Sequence, residues 1–96
     1  MFSLVFKSNA SINLNIHSYE QLIAKSEDYN RKNNITGFLI FHKGHFLQLM
    51  EGEETKIRLL YDTIRLDSRH KDCILVSTEN VHSWMFNSWS LFFDDM

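Results

Sequence analysis

Apolar residues recur along the chain at two spacings, one typical of strands and the other typical of helices. The segment 2–7 (FSLVFK) is rich in strand formers and precedes a polar stretch, which predicts a first strand followed by a loop. Ser18 and Gln21 form a capping-box pattern, which predicts a helix that opens at Ser18 and continues to about Arg31. Asn33-Asn34 indicates the end of that helix.

Two short apolar runs in the middle of the chain predict a β-hairpin. They cover 37–41 and 45–50 and are joined by His42-Lys43-Gly44, a tight connection that contains glycine. After an acidic stretch, apolar residues at i, i+3, i+4 and i+7 predict a second helix over about 54–66. We expect the acidic stretch, Glu51 to Glu54, to complement the positive end of that helix's dipole.

Two further strands, over 71–78 and 86–93, complete the order βαββαββ. This order predicts an α+β, ferredoxin-like sandwich with a mixed five-stranded sheet and both helices on one face, as one domain over residues 1–96. We expect the other face to be open, because no further segment is available to cover it. An open apolar sheet face is typical of a surface that binds a partner protein or a second copy.

Composition narrows the class of protein. The chain has 96 residues, of which 44% are hydrophobic and 14% aromatic, so it is a compact folded domain and too short for a two-domain enzyme. Ten basic and twelve acidic residues give a net charge of −2, which argues against a nucleic-acid partner. The single cysteine, Cys73, cannot form an internal disulfide, and no apolar run is long enough to cross a membrane, so we expect a cytoplasmic protein.

Residues that could carry catalysis or bind a metal are scattered. His42 and His45 flank the hairpin turn but have no third ligand at a suitable spacing, so surface histidines are the favoured interpretation and no metal site is predicted. The glycines are isolated turn residues rather than a phosphate-binding loop. We therefore expect no catalytic residues and no enzymatic activity.

Two polar residues stand at positions where apolar ones are expected. Gln48 alternates with Phe46 and Met50 on one face of its strand, so it is a buried amide that either bonds neighbouring backbone or contacts a ligand. Asn30, near the end of the first helix, is either a helix terminator or a ligand contact.

Several short motifs together resemble the BLUF family, the sensors of blue light that use FAD. The resemblance covers residues 2–93, and it implies a flavin between the two helices of the βαββαββ fold that the pattern predicts. The motifs, in order, are NNITG at 33–37, GHFLQLMEGE at 44–53, LY at 60–61, DSRH at 67–70 and WSL at 89–91.

The resemblance also implies roles for individual residues around the flavin ring. Asn30 is expected to bind the N3–H and C4=O edge, and Gln48 to reach N5 and C4=O. Leu22 and Ile64, one from each helix, are expected to lie on the two sides of the ring.

Four other positions complete the implied site. Arg69 and His70 are expected along the pyrimidine side or edge, and Tyr29 stands beside Asn30 where many members have His or Asn. Trp89 and Leu91 occupy the Trp-x-Met segment that rearranges near the glutamine in the family, with Leu91 in place of the Met.

Phe6 is the main departure from the family pattern. BLUF domains carry a tyrosine on the first strand, and the same context here reads Val5-Phe6-Lys7-Ser8. In the family that phenol hydrogen-bonds the glutamine and gives an electron and a proton to the light-excited flavin, and Phe6 has no hydroxyl with which to do either. We expect flavin binding to be retained and the usual photocycle to be impaired or absent.

The sequence therefore predicts a flavin-binding sensory domain, with FAD as the flavin and FMN or riboflavin as alternatives. It is expected to act through the open sheet face, on a separate effector or in a homo-oligomer. The alternative is a flavin-free, dimerising adaptor on the same scaffold. A small hydrolase of the acylphosphatase type is disfavoured, because the first strand lacks an anion-binding loop near an arginine.

Overall fold

The computed structural model describes residues 1–10, 16–68, 70–86 and 89–94. In that part of the chain, five strands and two helices follow one another in the predicted order. They are β1 (Phe2–Ala10), α1 (Ile16–Lys32), β2 (Thr36–His42), β3 (His45–Gly52), α2 (Glu54–Arg65), β4 (His70–Asn80) and β5 (Trp89–Asp94).

The strands form one mixed sheet in the order β4-β1-β3-β2-β5. The pairs β1–β3, β1–β4 and β2–β3 are antiparallel, whereas β5 is parallel to β2. The predicted α+β, ferredoxin-like fold is confirmed. Because β4 and β5 lie at opposite edges, the connection between them must pass the three strands that separate them.

The core lies between the sheet and α2. Strand β1 places Phe2, Leu4 and Phe6 on the buried face, because alternate residues of a strand point to the same side. Ile57 from α2 packs against them and is fully buried. Burying side chains of this size contributes about 1.5–3 kcal/mol each, which holds α2 on the sheet.

The β2–β3 hairpin has a two-residue turn, as its register pairs His42 with His45. Lys43 and Gly44 both have positive φ values, 47° and 81°, as the type I′ turn requires. Gly37 in β2 has a φ of 140°, and a Cβ there would lie 2.0 Å from the carbonyl oxygen of Leu49. The predicted hairpin is confirmed, and Gly37 allows the close approach of its two strands.

The boundaries of α1 and β5 differ from those predicted. Helix α1 already includes Ile16, so Ser18 lies inside it and does not open it. At its other end Asn34 has a φ of 56°, which ends the helix where the Asn-Asn pair predicts. Strand β5 begins at Trp89 rather than at Phe86, because the Phe86 N–H donates to a side-chain carboxylate and not to the backbone of a neighbouring strand.

That carboxylate belongs to Glu51, for which the predicted role at the helix dipole is wrong. Glu54 does lie in the first turn of α2 and Glu53 precedes it, whereas Glu51 is the penultimate residue of β3 and is fully buried. Its side chain accepts hydrogen bonds from the segment that connects β4 to β5. Within the acidic stretch, Glu53 and Glu54 therefore lie at the start of α2, whereas Glu51 binds the segment between β4 and β5.

The sheet face opposite the helices is open over most of its area and covered at one end. Leu47 and Ile74 are 37% and 53% exposed on this face. Near the start of β2, the Phe86 ring packs against Phe38 with a centroid distance of 5.5 Å, so the β4–β5 connection covers that end. No helix in the described ranges has the length and apolarity that crossing a membrane requires.

Candidate functional site

A cavity of about 210 Å³ opens between the two helices, above the middle of β3. Its walls come from α1, from α2 and the turn after it, and from the buried-face residues of β3 and β4. The lining residues are Lys25, Ser26, Tyr29, Asn30, Gln48, Leu60, Thr63, Ile64, Asp67 and His70.

Asn30 is a buried amide with an unused donor group. It is 1% exposed, and its backbone carbonyl accepts the Ile35 N–H at 2.8 Å, which fixes the end of α1. Its side-chain Nδ2 is buried and has no partner among the described residues. Because an unpaired buried donor costs about 1–3 kcal/mol, Asn30 is suited to a ligand that brings a hydrogen-bond acceptor.

Gln48 lies on the floor of the cavity, with Phe6 beside it. Gln48 is 5% exposed, and the β1–β3 register pairs it directly with Phe6, which is fully buried. Side chains paired in this way lie on one face with Cβ atoms about 4.5–5.5 Å apart. The prediction that Gln48 is a buried amide is confirmed. Its neighbour Phe6 has an aromatic side chain without a hydroxyl group.

The strand pairing aligns Phe6 and Gln48 with residues of β2 and β5, so that they form one row across the sheet. Gln48 pairs with Leu39 on β2, and Leu39 pairs with Leu91 on β5. Trp89 pairs with Gly37, one row away. The backbone therefore brings position 91 into the row of Phe6 and Gln48, although the side chains at 89 and 91 lie outside the described part of the structure.

The Phe6 ring also contacts Tyr61 of α2. The ring centroids are 5.1 Å apart and the planes are inclined by 54°. Burial raises the pKa of the Tyr61 phenol, so this group stays protonated near neutral pH. Tyr61 packs against the core and does not line the cavity.

His70 lies at the edge of the cavity, where β4 begins. It is 8% exposed, and its Nδ1 lies 2.9 Å from the Ser8 hydroxyl oxygen. Its ring centroid is 4.6 Å from that of Phe46.

Cys73 follows His70 on β4. Burial raises the pKa of its thiol, and this effect outweighs that of a hydrogen bond with Ser8, which lowers the pKa. His70 is thus held by β1, and Cys73 is a protonated thiol.

The mouth of the cavity carries two charged residues to which the sequence patterns assigned no role at the site. Lys25 and Asp67 both line it, and Tyr29 is 39% exposed beside them. Leu60, Thr63, Ile64 and Asp67 follow the spacing i, i+3, i+4, i+7 along α2 and the turn after it. These residues form a second stripe on the helix, beside the stripe that packs against the core. Their helical spacing could have predicted from the sequence that Thr63 and Asp67 lie on the cavity side of α2.

Of the residues that the resemblance implies, Asn30, Gln48, Tyr29, Ile64 and His70 all line this one cavity. Position 22 lies in α1, but its side chain is outside the described part, and Arg69 lies outside the described residues altogether.

His42 and His45 flank the hairpin turn and line a different cavity, on the open face of the sheet. The Nδ1 of His45 is 2.7 Å from the side-chain oxygen of Asn9, whose amide donates to Asp72 at 3.1 Å. In the ranges that the structure describes, no three His, Cys, Asp or Glu side chains come together as a metal site would require. These histidines line an open-face cavity of about 550 Å³, with Ile40, Leu47 and Ile74 among its apolar residues.

The fold and the site define a class: a ferredoxin-like α+β domain with an amide-lined cavity between its helices. The family model for BLUF, sensors of blue light using FAD, matches residues 1–92. The chain belongs to the BLUF family, whose domains bind flavin and sense blue light.

Individual relatives agree with this family. The chain is 28% identical over 72 residues to the blue light- and temperature-regulated antirepressor BluF of Escherichia coli K12, covering 75% of this chain and 18% of that protein. It is 31% identical to a bacterial light-regulated adenylyl cyclase, with a TM-score of 0.88, covering all of this chain and 28% of that one. The dark-state structure of the BLUF protein BlrB is 26% identical, with a TM-score of 0.89, covering 98% of this chain and 71% of that one.

Proposed function

We propose that the cavity between the helices holds the isoalloxazine ring of FAD, and that the light response is impaired or absent because Phe6 stands where the photoactive tyrosine is expected. The observation that carries the first part is the unpartnered Nδ2 of Asn30, in a cavity that a second buried amide, Gln48, also lines. A flavin presents carbonyl acceptors and a ring N–H on one edge, which fits two amides. The flavin carbonyl would satisfy the unused donor of Asn30.

The shape of the cavity supports entry by the ring alone. Its volume of about 210 Å³ is below the ~300–1,000 Å³ of sites that enclose a whole drug-sized ligand. A flat ring would enter between α1 and α2, with the ribityl and phosphate groups at the mouth beside Lys25. Ile64 supplies an apolar wall, and we assign the facing wall to Leu22.

The remaining implied residues keep their proposed roles at the edges of the ring. Tyr29, Arg69 and His70 would border the pyrimidine side. Trp89 and Leu91 would form the segment of β5 that responds to Gln48, because residue 91 shares its register row.

The photochemistry of a flavin bound at this site depends on Phe6. When bound, the flavin supplies blue-light absorption and an excited state that accepts electrons. Phe6 is fully buried directly beside Gln48, so Gln48 has no hydroxyl partner in that direction. A benzene ring has no proton to give and is a far poorer electron donor than a phenol. The hydrogen-bond rearrangement of Gln48 therefore lacks its usual trigger.

An absorption spectrum of the purified protein, before and after blue light, tests both parts. We expect bands of oxidised flavin in the blue and near ultraviolet, with no red-shifted product after illumination. A colourless protein that takes up no added FAD, FMN or riboflavin would refute flavin binding, and a stable red-shifted state would refute the role of Phe6.

The variant Phe6→Tyr tests the assignment from the other direction. We expect it to bind flavin and to acquire a red-shifted state in light. Phe2→Tyr is the matched control, because Phe2 is also buried on the same face of β1 but pairs with Gly52 rather than Gln48. A red shift in both variants, or in neither, would contradict the proposal.

The alternative function is a flavin-free interaction module that acts through the open face. The exposed Leu47 and Ile74 beside the 550 Å³ cavity favour a partner surface of this kind. Relatives that are an antirepressor and a cyclase suggest that a sensory domain of this type acts on an effector, here a separate protein or a second copy. Flavin titration separates the alternatives, since only the sensory domain binds flavin.

A further inference from the structure

Glu51 is a fully buried carboxylate that, within the described ranges, accepts hydrogen bonds from donors outside β3. Its Oε1 accepts from the Thr36 hydroxyl at 2.8 Å and from the Phe86 N–H at 2.7 Å. The Met85 N–H lies 3.0 and 3.1 Å from its two oxygens. One side chain thereby joins β3, the start of β2 and the segment that leads into β5.

That segment has to cross the sheet from one edge to the other. It leaves β4 with a hydrogen bond from the Val81 N–H to the Met1 carbonyl at 2.9 Å. Four residues later it reaches Glu51, and β5 begins three residues after Phe86. Three residues span at most ~11 Å, so fixing Phe86 limits where Trp89 can lie along β2.

The sequence of β5 does not fix its own register. Alternate residues Trp89, Leu91 and Phe93 are all apolar, so the pattern defines which residues share a face. A slip of two residues keeps that face and moves the strand by ~6.6 Å. It would replace Leu91 by Phe93 opposite Leu39, and so in the row of Gln48.

We propose that Glu51 is the positioning residue that sets the register of β5, and so determines which apolar residue shares the row of Gln48. Hydrogen bonds to a carboxylate are stronger than bonds between neutral groups, and burial excludes water that would compete for them. Glu51 holds the connection from the end of β3, three residues after Gln48 itself. The register assignment needs no ligand, and only its consequence for light sensing rests on the proposed function.

The test uses the purified protein labelled with ¹⁵N and the variants Glu51→Ala and Glu51→Gln. Amide exchange at Met85 and Phe86 reports whether the connection is held, and NOEs between β2 and β5 at 37–89 and 39–91 report the register. Glu51→Ala removes all the bonds. Glu51→Gln keeps one acceptor oxygen but turns an amide donor towards a backbone N–H, so its effect should be intermediate. Glu53→Gln is the control, since Glu53 is exposed and makes no side-chain cap bond.

We expect exchange at both amides to rise about tenfold or more in Glu51→Ala, from the loss of bonds to a charged acceptor, with less change in Glu51→Gln and none in Glu53→Gln. We also expect the NOEs at 37–89 and 39–91 to weaken or to be joined by those of a second register. If Glu51→Ala does not fold, Glu51→Gln decides the result by the same measurements.

Unchanged exchange would overturn the inference, and so would faster exchange with the native NOEs fully retained. The result is independent of the proposed function: a protein that never binds flavin but loses its β5 register in Glu51→Ala supports the role of Glu51 and refutes the flavin site.

Discussion

Replacing Asn30 by leucine should make the flavin-free protein more stable and the flavin complex weaker. The substitution keeps the approximate volume of the side chain and removes a buried donor that has no partner in the described part of the chain. An unpaired buried donor costs about 1–3 kcal/mol, so removing it should raise the free energy of unfolding by about 1 kcal/mol or more. For a domain of this size, that corresponds to a rise in Tm of about 4–8 °C.

The effect on flavin binding has the opposite sign. A flavin carbonyl that faces leucine is buried without its donor, which costs about 1–3 kcal/mol and weakens binding by about 5- to 150-fold. Flavin at 100 times its Kd stabilises the wild-type protein by about 2.7 kcal/mol, and the variant gains less. The stability advantage of the variant, and with it the difference between the two melting temperatures, should therefore shrink when flavin is added.

Thermal unfolding with and without FAD measures both effects in one experiment. Asn33→Ala is the matched control, because the Asn33 amide lies at the same helix end but donates to the Tyr29 carbonyl at 2.9 Å. It should destabilise the protein slightly and leave flavin affinity unchanged. An Asn30→Leu protein that is less stable without flavin, or that binds flavin as tightly as the wild type, would refute the assignment of Asn30.

Three further expectations concern the scaffold. Gly37→Ala should destabilise the fold by more than about 3 kcal/mol, because the new Cβ would lie 2.0 Å from a backbone carbonyl oxygen. Gly44→Ala should cost only about 1–2 kcal/mol, because the space around Gly44 is open and only the positive φ is unfavourable. Equal urea midpoints for the two variants would contradict this expectation. Ser8→Ala should lower the free energy of unfolding by about 0.5–1.5 kcal/mol in urea unfolding, because it removes the buried hydrogen bond between the Ser8 hydroxyl and His70 Nδ1. Because the pKa of Cys73 is raised by folding, the unfolded chain loses its thiol proton first as pH rises past the ordinary value of 9.0, so the free energy of unfolding should fall there. Cys73→Ala should flatten that decline, and an unchanged pH profile would exclude the thiol as its cause.

The order of elements and their alternation were readable from the sequence because they depend on local spacing. The type I′ turn at Lys43-Gly44 and the buried position of Gln48 follow from residues close together in the chain. The boundary of β5 was not readable in this way. Phe86 looks like a strand residue, but its N–H is taken by a carboxylate 35 residues earlier.

The sequence by itself determined the fold class, the family and the missing hydroxyl at Phe6, since each rests on residue identity and periodic spacing. Only the tertiary structure decided that Phe6 and Gln48 are direct neighbours, that the Asn30 amide has a donor to spare, and that Glu51 faces the β4–β5 connection rather than a helix dipole. The physical reason is that strand register and the satisfaction of buried polar groups depend on partners distant in the chain. One-dimensional patterns carry no information on which distant donor will meet a given acceptor.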